Sequence, residues 1–229
     1  MQQASSCFIP PSAGRATRAI PARSQASLRG ATVVQLPADS PPRRIVFESK
    51  LEQRVLYLTL ARPDIVDVWD QPPAIEYRNA KGVSKRHTFD YLVTLTSGRK
   101  IAVAVKPSTS VTRVNFRREL ELIKAATPLA FADDVCLVTE LCFTRAAAMN
   151  AARLHEFRRI ADAEADEKIR ELVAALEGET SIAELVVASG LNGRGYRAVF
   201  RAIYAGITEA NCDAEITPTT RISRRRALQ

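Results

Sequence analysis

The sequence predicts an α/β fold, a mixed sheet flanked by helices, followed by a smaller unit that is mostly helical. Three features of the 229 residues carry that expectation. Between residues 87 and 107 apolar side chains alternate along two segments joined by Thr96-Ser97-Gly98, the pattern of a β-hairpin. Residues 48–160 read in the order helix, strands, helix, strand, helix, which suits a layered α/β domain. Past the charged run Asp162-Ala163-Glu164-Ala165-Asp166-Glu167, a second unit begins.

Residues 48–61 are expected to be helical, because Leu51, Val55 and Leu58 make one stripe and Pro63 marks the end. Glu48 and Glu52 sit four apart at the edge of that stripe, so both could face the sheet. Two acids in a first helical turn also suit the helix dipole. Short strands follow at 65–69 and 74–78, separated by Asp70-Gln71-Pro72-Pro73, and then comes the hairpin. Residues 116–126 read as a helix, 134–140 as a buried strand and 146–160 as a second helix. The charged run leads into a helix through Leu176. Ser181-Ile182-Ala183-Glu184 has the spacing of a capping box, and its helix ends at Ser189-Gly190. Asn192-Gly193-Arg194 opens a last helix to about Ala205, closed by Gly206. Two helices joined in this way read as a helix-turn-helix, and residues 207–222 could form the wing of a winged helix.

The hairpin is the most informative stretch. A three-residue loop ending in Gly98, which tolerates a left-handed backbone, pairs Leu95 with Arg99. Counting outward sets Asp90 opposite Ala104, with Lys106 on a diagonal of roughly 7–8 Å. Strand alternation puts Phe89, Tyr91, Val93 and Leu95 on one face of the first strand, and Ile101, Val103 and Val105 on that of the second. Asp90, Leu92 and Thr94 then share the other face with Ala102, Ala104 and Lys106. Unpaired charge on a mostly apolar sheet is costly, so Asp90 and Lys106 need a reason to be there. Two readings meet that need. One is an Asp–Lys ion pair. The other is a nuclease arrangement, in which acidic or amide side chains and a backbone carbonyl hold Mg²⁺ while the Lys serves the phosphate or the water. For the second, Asp90, Val105 and Lys106 are in place, but Ala104 stands where another ligand belongs.

Composition narrows the classes further. At 46% hydrophobic residues the chain can bury a real core, and it has no apolar run of the roughly 18 residues that would suggest a membrane span. Cys7, Cys136, Cys142 and Cys212 lack metal-type spacing and read as reduced thiols of a reducing compartment. His87 and His155 have no partner pattern, and neither is given a catalytic role. The net charge of +8 is concentrated at the ends. Arg15, Arg18, Arg23, Arg29, Arg43 and Arg44 face only Asp39 at the start, and Arg221, Arg224, Arg225 and Arg226 close the chain. Basic ends on a near-neutral body suggest arms lying on a polyanion, with nucleic acid the first choice, or else solvated termini. The first 40 residues also have the Arg- and Ser-rich composition of a transit peptide, but Pro10, Pro11 and Pro21 oppose its amphipathic helix and favour an extended arm. In the last helix Arg194, Arg197 and Arg201 fall on one face, suited to phosphates or guanine edges, or to a solvated face on a protein-binding domain. The expected division is a basic, mostly extended or disordered arm at 1–42, a nuclease-type domain at 43–161, a winged-helix-like domain at 162–222 and a basic tail at 223–229.

Six motifs occur together and in order: Phe47-Glu48-Ser49-x-Leu51-Glu52; Ile65-Val66-Asp67 with Gln71-Pro72; Phe89-Asp90-Tyr91-Leu92-Val93; Val103-Ala104-Val105-Lys106-Pro107; Leu137-Val138-Thr139-Glu140; and Asn150-Ala151. Across residues 43–160 this set resembles the TnsA family, the endonuclease subunit of heteromeric transposases. The resemblance implies a restriction-endonuclease-like nuclease domain, Mg²⁺ or Mn²⁺ as cofactor, and a C-terminal winged helix that engages an ATPase. It also implies a bacterial, cytoplasmic protein that nicks the 5′ ends of a transposon. Its partners would be transposon-end DNA, an RNase-H-like transposase subunit and an AAA+ ATPase regulator, with no membrane. Carried over by position, Glu52, Asp90 and Lys106 are the catalytic residues. Asp90, Glu52 and the Val105 carbonyl hold the metal. Ala104 departs from the family's Glu or Gln, and Glu48 or Glu76 would be the substitute carboxylates. Arg194, Arg197, Arg201, Arg43 and Arg44 are the expected DNA contacts.

The function expected on these grounds is DNA transposition, as a metal-dependent endonuclease subunit. One alternative is a subunit of the same complex, catalytically degenerate at Ala104, that binds DNA or assembles partners. Another is a winged-helix DNA-binding regulator, which leaves the nuclease-like body unexplained.

Overall fold

The computed structural model describes residues 10–17, 28–39 and 41–225. Arg18, Arg23, Arg226 and Cys7 lie outside these residues. The chain divides into two compact units, Met1–Gln53 with Asp64–Leu141, and Arg54–Pro63 with Cys142–Gln229.

The first unit opens with β1 (Gly30–Val34) and β2 (Arg43–Phe47), an antiparallel ribbon in which Val34 pairs with Arg43. Helix α1 (Lys50–Ala61) follows, its first turn belonging to this unit. Then come β3 (Ile65–Asp70), β4 (Ile75–Arg78), β5 (Ser84–His87), β6 (Tyr91–Leu95), β7 (Lys100–Val105), α2 (Ser108–Arg113), α3 (Phe116–Ala126) and β8 (Asp134–Val138). Strands β3, β6, β7 and β8 lie in that order in one sheet, antiparallel except for the parallel β7–β8 pair. The sheet is therefore mixed, as the sequence predicts.

Hairpin β6–β7 has the expected register. Tyr91 pairs with Val103 and Thr94 with Lys100, and the Leu95 N–H donates to the Arg99 carbonyl at 2.9 Å across Gly98, whose φ is 82°. The paired residues end at Tyr91 and Val103, so the expected step to Asp90 opposite Ala104 is not part of the ladder. The expected faces need one correction. Phe89 does not join Tyr91 and Val93; it packs with Leu92, Ala102 and Ala104 against Phe116, Leu120 and Ile123 of α3. Alternation breaks at Asp90, whose N–H donates to the Val103 carbonyl at 3.0 Å, so that strand pairing resumes only at Tyr91. The α3 triplet recurs at helical spacing, and burying each of its side chains contributes about 1.5–3 kcal/mol.

Strands β4 and β5 form a separate two-stranded ribbon pairing Ile75 with His87 and Glu76 with Arg86. Its inner face, Ile75 and Tyr77, belongs to the same apolar cluster. The Tyr77 hydroxyl donates to Glu119 of α3 at 2.5 Å. Burial, reinforced by that carboxylate, pushes the Tyr77 phenol up to about 12.

Residues 10–17 lie extended along this unit. Ser12 bridges to Arg43, Arg15 pairs with Asp67 at 2.6 Å, and the Thr17 N–H donates to the Gln71 carbonyl at 3.0 Å.

The second unit holds the rest of α1, then α4 (Arg145–Arg158), α5 (Ala163–Ala174), β9 (Thr180–Ser181), α6 (Ile182–Ser189), α7 (Gly193–Tyr204), β10 (Thr208–Glu209) and β11 (Arg221–Arg224). Its three strands form an antiparallel sheet ordered β10, β11, β9. Leu154, Ile169, Ile182, Phe200, Ile216 and Ile222 are fully buried at its centre. The capping box between Ser181 and Glu184 is present, and Gly190 ends α6 at φ 69°. Buried Asn150 donates to the carbonyls of Cys212 and Ala214 and accepts the Ile216 N–H, which fastens residues 212–216 to α4. Helix α4 thus packs in the second unit, although its sequence places it before the charged run.

Candidate functional site

Asp90 and Lys106 line one pocket at the end of the β6–β7 hairpin, together with Gln71, Arg86, His87, Thr88 and Phe89. The carboxylate of Asp90 accepts the Val105 N–H at 2.6 Å, so Asp90 and Val105 are also in contact. The Lys106 ammonium lies 4.7 Å from the centroid of the Phe116 ring, a cation–π contact that holds it at the edge of the apolar cluster. Ala104 is 1% exposed within that cluster and offers no polar group.

Glu52 sits elsewhere in chemical terms. One carboxylate oxygen accepts the Glu48 N–H at 2.7 Å and the other accepts the Ser49 hydroxyl at 2.8 Å, while Ser49 Oγ accepts the Glu52 N–H. This reciprocal set satisfies the Glu52 amide in the first turn of α1 and the Glu48 amide just before it, in the manner of a capping box. Glu52 is not among the residues lining the pocket. It remains linked to the site through Tyr91, whose hydroxyl donates to the Glu52 carbonyl at 3.2 Å. Burial pushes the Tyr91 phenol well up, and the charges of Glu52, Asp90 and Asp70 add to the effect. The charges of three carboxylates thus act on one buried ring. Asp70 is fully buried, with one oxygen accepting the Val46 N–H at 2.9 Å and the other without a partner.

The proposed substitutes lie apart. Glu76 is on the exposed outer face of β4, directly opposite Arg86. Glu48 contributes its backbone N–H to the cap just described. Among the described residues, no three His, Cys, Asp or Glu side chains gather into a cation cage.

The arginines expected on DNA are mostly engaged internally. Arg194 makes a bidentate pair with Asp162 at 2.8 Å and reaches Glu164 at 2.6 Å. Hydrogen bonds from Arg194 hold the Asp162 carboxyl well below the usual range. Arg201 binds Asp166 and the Phe157 carbonyl. Arg43 is 4% exposed and held by Asp39, Asp67 and the Val68 carbonyl. Arg197 is partly exposed and Arg44 exposed.

Gln71, His87, Arg86 and Thr88 complete the pocket: Gln71 belongs to one of the six motifs, His87 is given no catalytic role by the sequence, and Arg86 and Thr88 are not singled out by it. The Gln71 backbone is left-handed at φ 43°, an unusual setting for a side-chain-bearing residue, held by its N–H to the Asp90 carbonyl and by Thr17 on its own carbonyl. His87 stacks edge-on against Phe89, and its Nε2 is buried without a partner. Burial first, and the Lys106 charge second, bring the His87 imidazole down to about 4.

A mixed sheet with a carboxylate entering one strand of a hairpin and a lysine leaving the next places this unit in the restriction-endonuclease-like class. Residues 62–136 match the model of the TnsA-like endonuclease N-terminal domain, and over this segment the chain is TnsA-like. The matched segment contains Asp90, Ala104, Val105 and Lys106; Glu48 and Glu52 precede it. No curated protein matches the chain. Restriction-endonuclease-like nucleases generally use divalent metals, and TnsA-like domains act on DNA with a transposase. Among the described residues, no helix is long and apolar enough to cross a membrane.

Proposed function

We propose that this protein is a DNA endonuclease subunit of transposition. In this reading it nicks the 5′ ends of a transposon beside an RNase-H-like transposase, under an AAA+ ATPase. The observation that carries the reading is the pairing of Asp90 with the Val105 amide in the pocket shared with Lys106, inside the TnsA-like segment. Mg²⁺ is commonly held by one or two carboxylates, with waters and substrate phosphates filling the remaining positions. Asp90, a hard oxygen donor at an open pocket, fits Mg²⁺ or Mn²⁺ in that mode, with the Val105 carbonyl as the second protein donor. When bound, such an ion supplies positive charge against phosphate oxygens and acidifies water. Lys106, kept at the pocket by Phe116, sets a cation where a phosphate would lie. Glu52 acts through Tyr91 and the α1 N-terminus rather than as a direct ligand.

In the second unit we read α6 and α7 with the β10–β11 strands as a winged helix. Arg194 and Arg201 are committed to α5 or the chain before it, which favours docking on a protein partner such as the ATPase over base reading by α7.

The test is nicking of transposon-end DNA by the full chain with its transposase, in Mg²⁺ and in Mn²⁺. Wild type should cut, and Asp90→Ala and Lys106→Ala should not. A specific observation also favours a second reading, a DNA-binding or assembly subunit without cleavage: Ala104 is sealed in the apolar cluster and Glu52 is occupied by its own helix. A wild type that never cuts with its transposase present, yet supports strand transfer, selects that reading.

A further inference from the structure

The β4–β5 ribbon carries more exposed positive charge than the candidate site needs. Arg78, Lys81, Lys85 and Arg86 lie within nine residues, and all are exposed, while Glu76 is the only acid between Ile75 and His87. The ribbon is firmly based. Ile75 and Tyr77 are buried, and Glu119 of α3 receives both the Tyr77 hydroxyl and, at 3.4 Å, the Lys85 ammonium. Lys85 is thereby paired with an acid while staying half exposed, and Arg78, Lys81 and Arg86 stand exposed beside it. The turn Asn79 to Val83 is itself closed by hydrogen bonds. Asn79 Oδ1 accepts the N–H groups of Lys81 and Val83, and Arg78 donates to the Gly82 carbonyl. At its tip Val83 is an apolar side chain 55% exposed among the described residues.

We infer that this ribbon is the element by which the protein grips duplex DNA. A two-stranded ribbon fits the major groove, about 12 Å wide, where cations on its edges meet phosphates and an apolar tip can touch a thymine methyl. The path to the chemistry is continuous. Arg86 lines both the pocket of Asp90 and Lys106 and the adjoining hollow of Thr17, Pro73, Ala74 and Thr88. A strand whose phosphate is held by Arg86 therefore runs on toward Asp90. The inference rests on the nuclease reading for what the DNA meets there, but not for the binding itself. It also replaces Arg43, Arg194 and Arg201, which are internally paired, with cations that face outward.

The experiment is fluorescence anisotropy of a labelled transposon-end duplex with the full chain, titrated at several salt concentrations. All proteins carry Asp90→Ala so that cleavage cannot intervene. Adding Lys81→Gln and Arg86→Gln should weaken binding at least tenfold. It should also reduce the log–log salt slope by about 2, since each lost phosphate contact removes roughly 0.9. A control with the same charge loss on α5, Lys168→Gln with Arg170→Gln, should stay within about twofold, and circular dichroism should show both variants folded. Unchanged affinity in the ribbon variant, or an equal loss in the control, overturns the inference. Nicking is read separately, on the chain with Asp90 intact and its transposase in Mg²⁺: binding lost with the ribbon, together with no nicking by that protein, would leave the inference standing and refute the nuclease reading alone.

Discussion

The Asp90 carboxylate accepts the Val105 amide hydrogen at 2.6 Å. In an unbroken antiparallel ladder that amide would donate to the carbonyl of residue 89, two positions before Tyr91. The side chain has taken over a backbone position, which frees Phe89 to turn into the α3 face. Asp90 is thus both a structural acceptor and the pocket's carboxylate. Asp90→Ala should cost on the order of 1–3 kcal/mol by orphaning a part-buried N–H, whereas Asp90→Asn keeps an acceptor oxygen and most of that stability. Both should lack nicking activity. Urea unfolding beside the nicking assay checks this, and an Asp90→Ala protein as stable as wild type would show that the bond has no weight.

Glu52 separates in a similar way. Its carboxylate caps α1, so Glu52→Ala should lose about 1 kcal/mol, in the usual range for a lost cap, while Glu52→Gln should keep most of it. If the role is cap and support for Tyr91, Glu52→Gln retains nicking where Asp90→Asn does not. Complete loss of nicking in a fully stable Glu52→Gln protein would return Glu52 to the reacting groups.

Ala104 tests whether a second ligand can be restored. The β-carbon faces Phe89, Leu92 and α3, so a carboxylate there enters an apolar setting. Ala104→Glu should lower stability on the order of 2–3 kcal/mol in metal-free buffer. Millimolar Mn²⁺ should return part of that loss, because an ion shared with Asp90 binds the folded state alone. Thermal unfolding with and without Mn²⁺ decides the matter. An equal loss in both buffers would mean that the two positions cannot share an ion.

Much of the hairpin was legible because its information is local. Gly98 fixes the loop, the loop fixes the register, and the register holds from Thr94 opposite Lys100 to Tyr91 opposite Val103. The same holds for α3 and the Ser181–Glu184 cap, where residues three and four apart decide the outcome. What escaped depends on distant partners. Strand β1, Gly-Ala-Thr-Val-Val, lies in a stretch that reads as a basic arm and exists by pairing with β2. Strand β5, Ser-Lys-Arg-His, has no apolar pattern and is held by β4. The inward turn of Arg194 and Arg201 was hidden because their acids, Asp162 and Asp166, lie more than 30 positions away in a run that reads as a linker. Helix α2, six residues including two threonines and a valine and with no side-chain cap, is too short for a period to show.

His87 gives a pH prediction with a definite sign. Its imidazole is held down to about 4 by burial and by Lys106, against an ordinary value near 6.5. Between those two values the unfolded chain binds a proton that the folded chain does not, so stability falls as pH drops through this window and is flat for His87 above it. Asp67 adds to the same trend. Burial opposes its ionisation, but hydrogen bonds from Arg15 and Arg43 hold its carboxyl below the ordinary value, and that contribution is lost as acid protonates it. His87→Phe replaces a partnerless nitrogen by an apolar edge, so it should be neutral or slightly stabilising at pH 7 and should flatten the slope between pH 4 and 6.5. Urea midpoints for both proteins at four or five pH values measure this. An undiminished slope in His87→Phe would assign the acid loss to carboxylates such as Asp67.

Arg43 and Arg44 are neighbours with opposite expected behaviour. The Arg43 side chain is 5% exposed and lies 2.8 Å from Asp39 and 2.6 Å from Asp67, themselves only 5% and 17% exposed, with a further bond to the Val68 carbonyl at 2.7 Å. It ties the loop after β1, β2 and β3 together. Arg43→Ala leaves two enclosed carboxylates facing each other and should cost about 3–5 kcal/mol, the range for removing one member of a buried ion pair. Arg43→Lys should recover only part, because a single ammonium cannot reproduce the guanidinium fork across three acceptors. Arg44 points outward on the same strand, so Arg44→Ala should change stability by less than about 0.5 kcal/mol. Unfolding curves for the three variants, with end-DNA affinity measured on the folded fraction, test the assignment. Arg43→Ala should then bind DNA as well as wild type once folded. If Arg43→Ala folds normally and loses DNA affinity instead, the residue serves the nucleic acid after all, and its place between Asp39 and Asp67 is secondary.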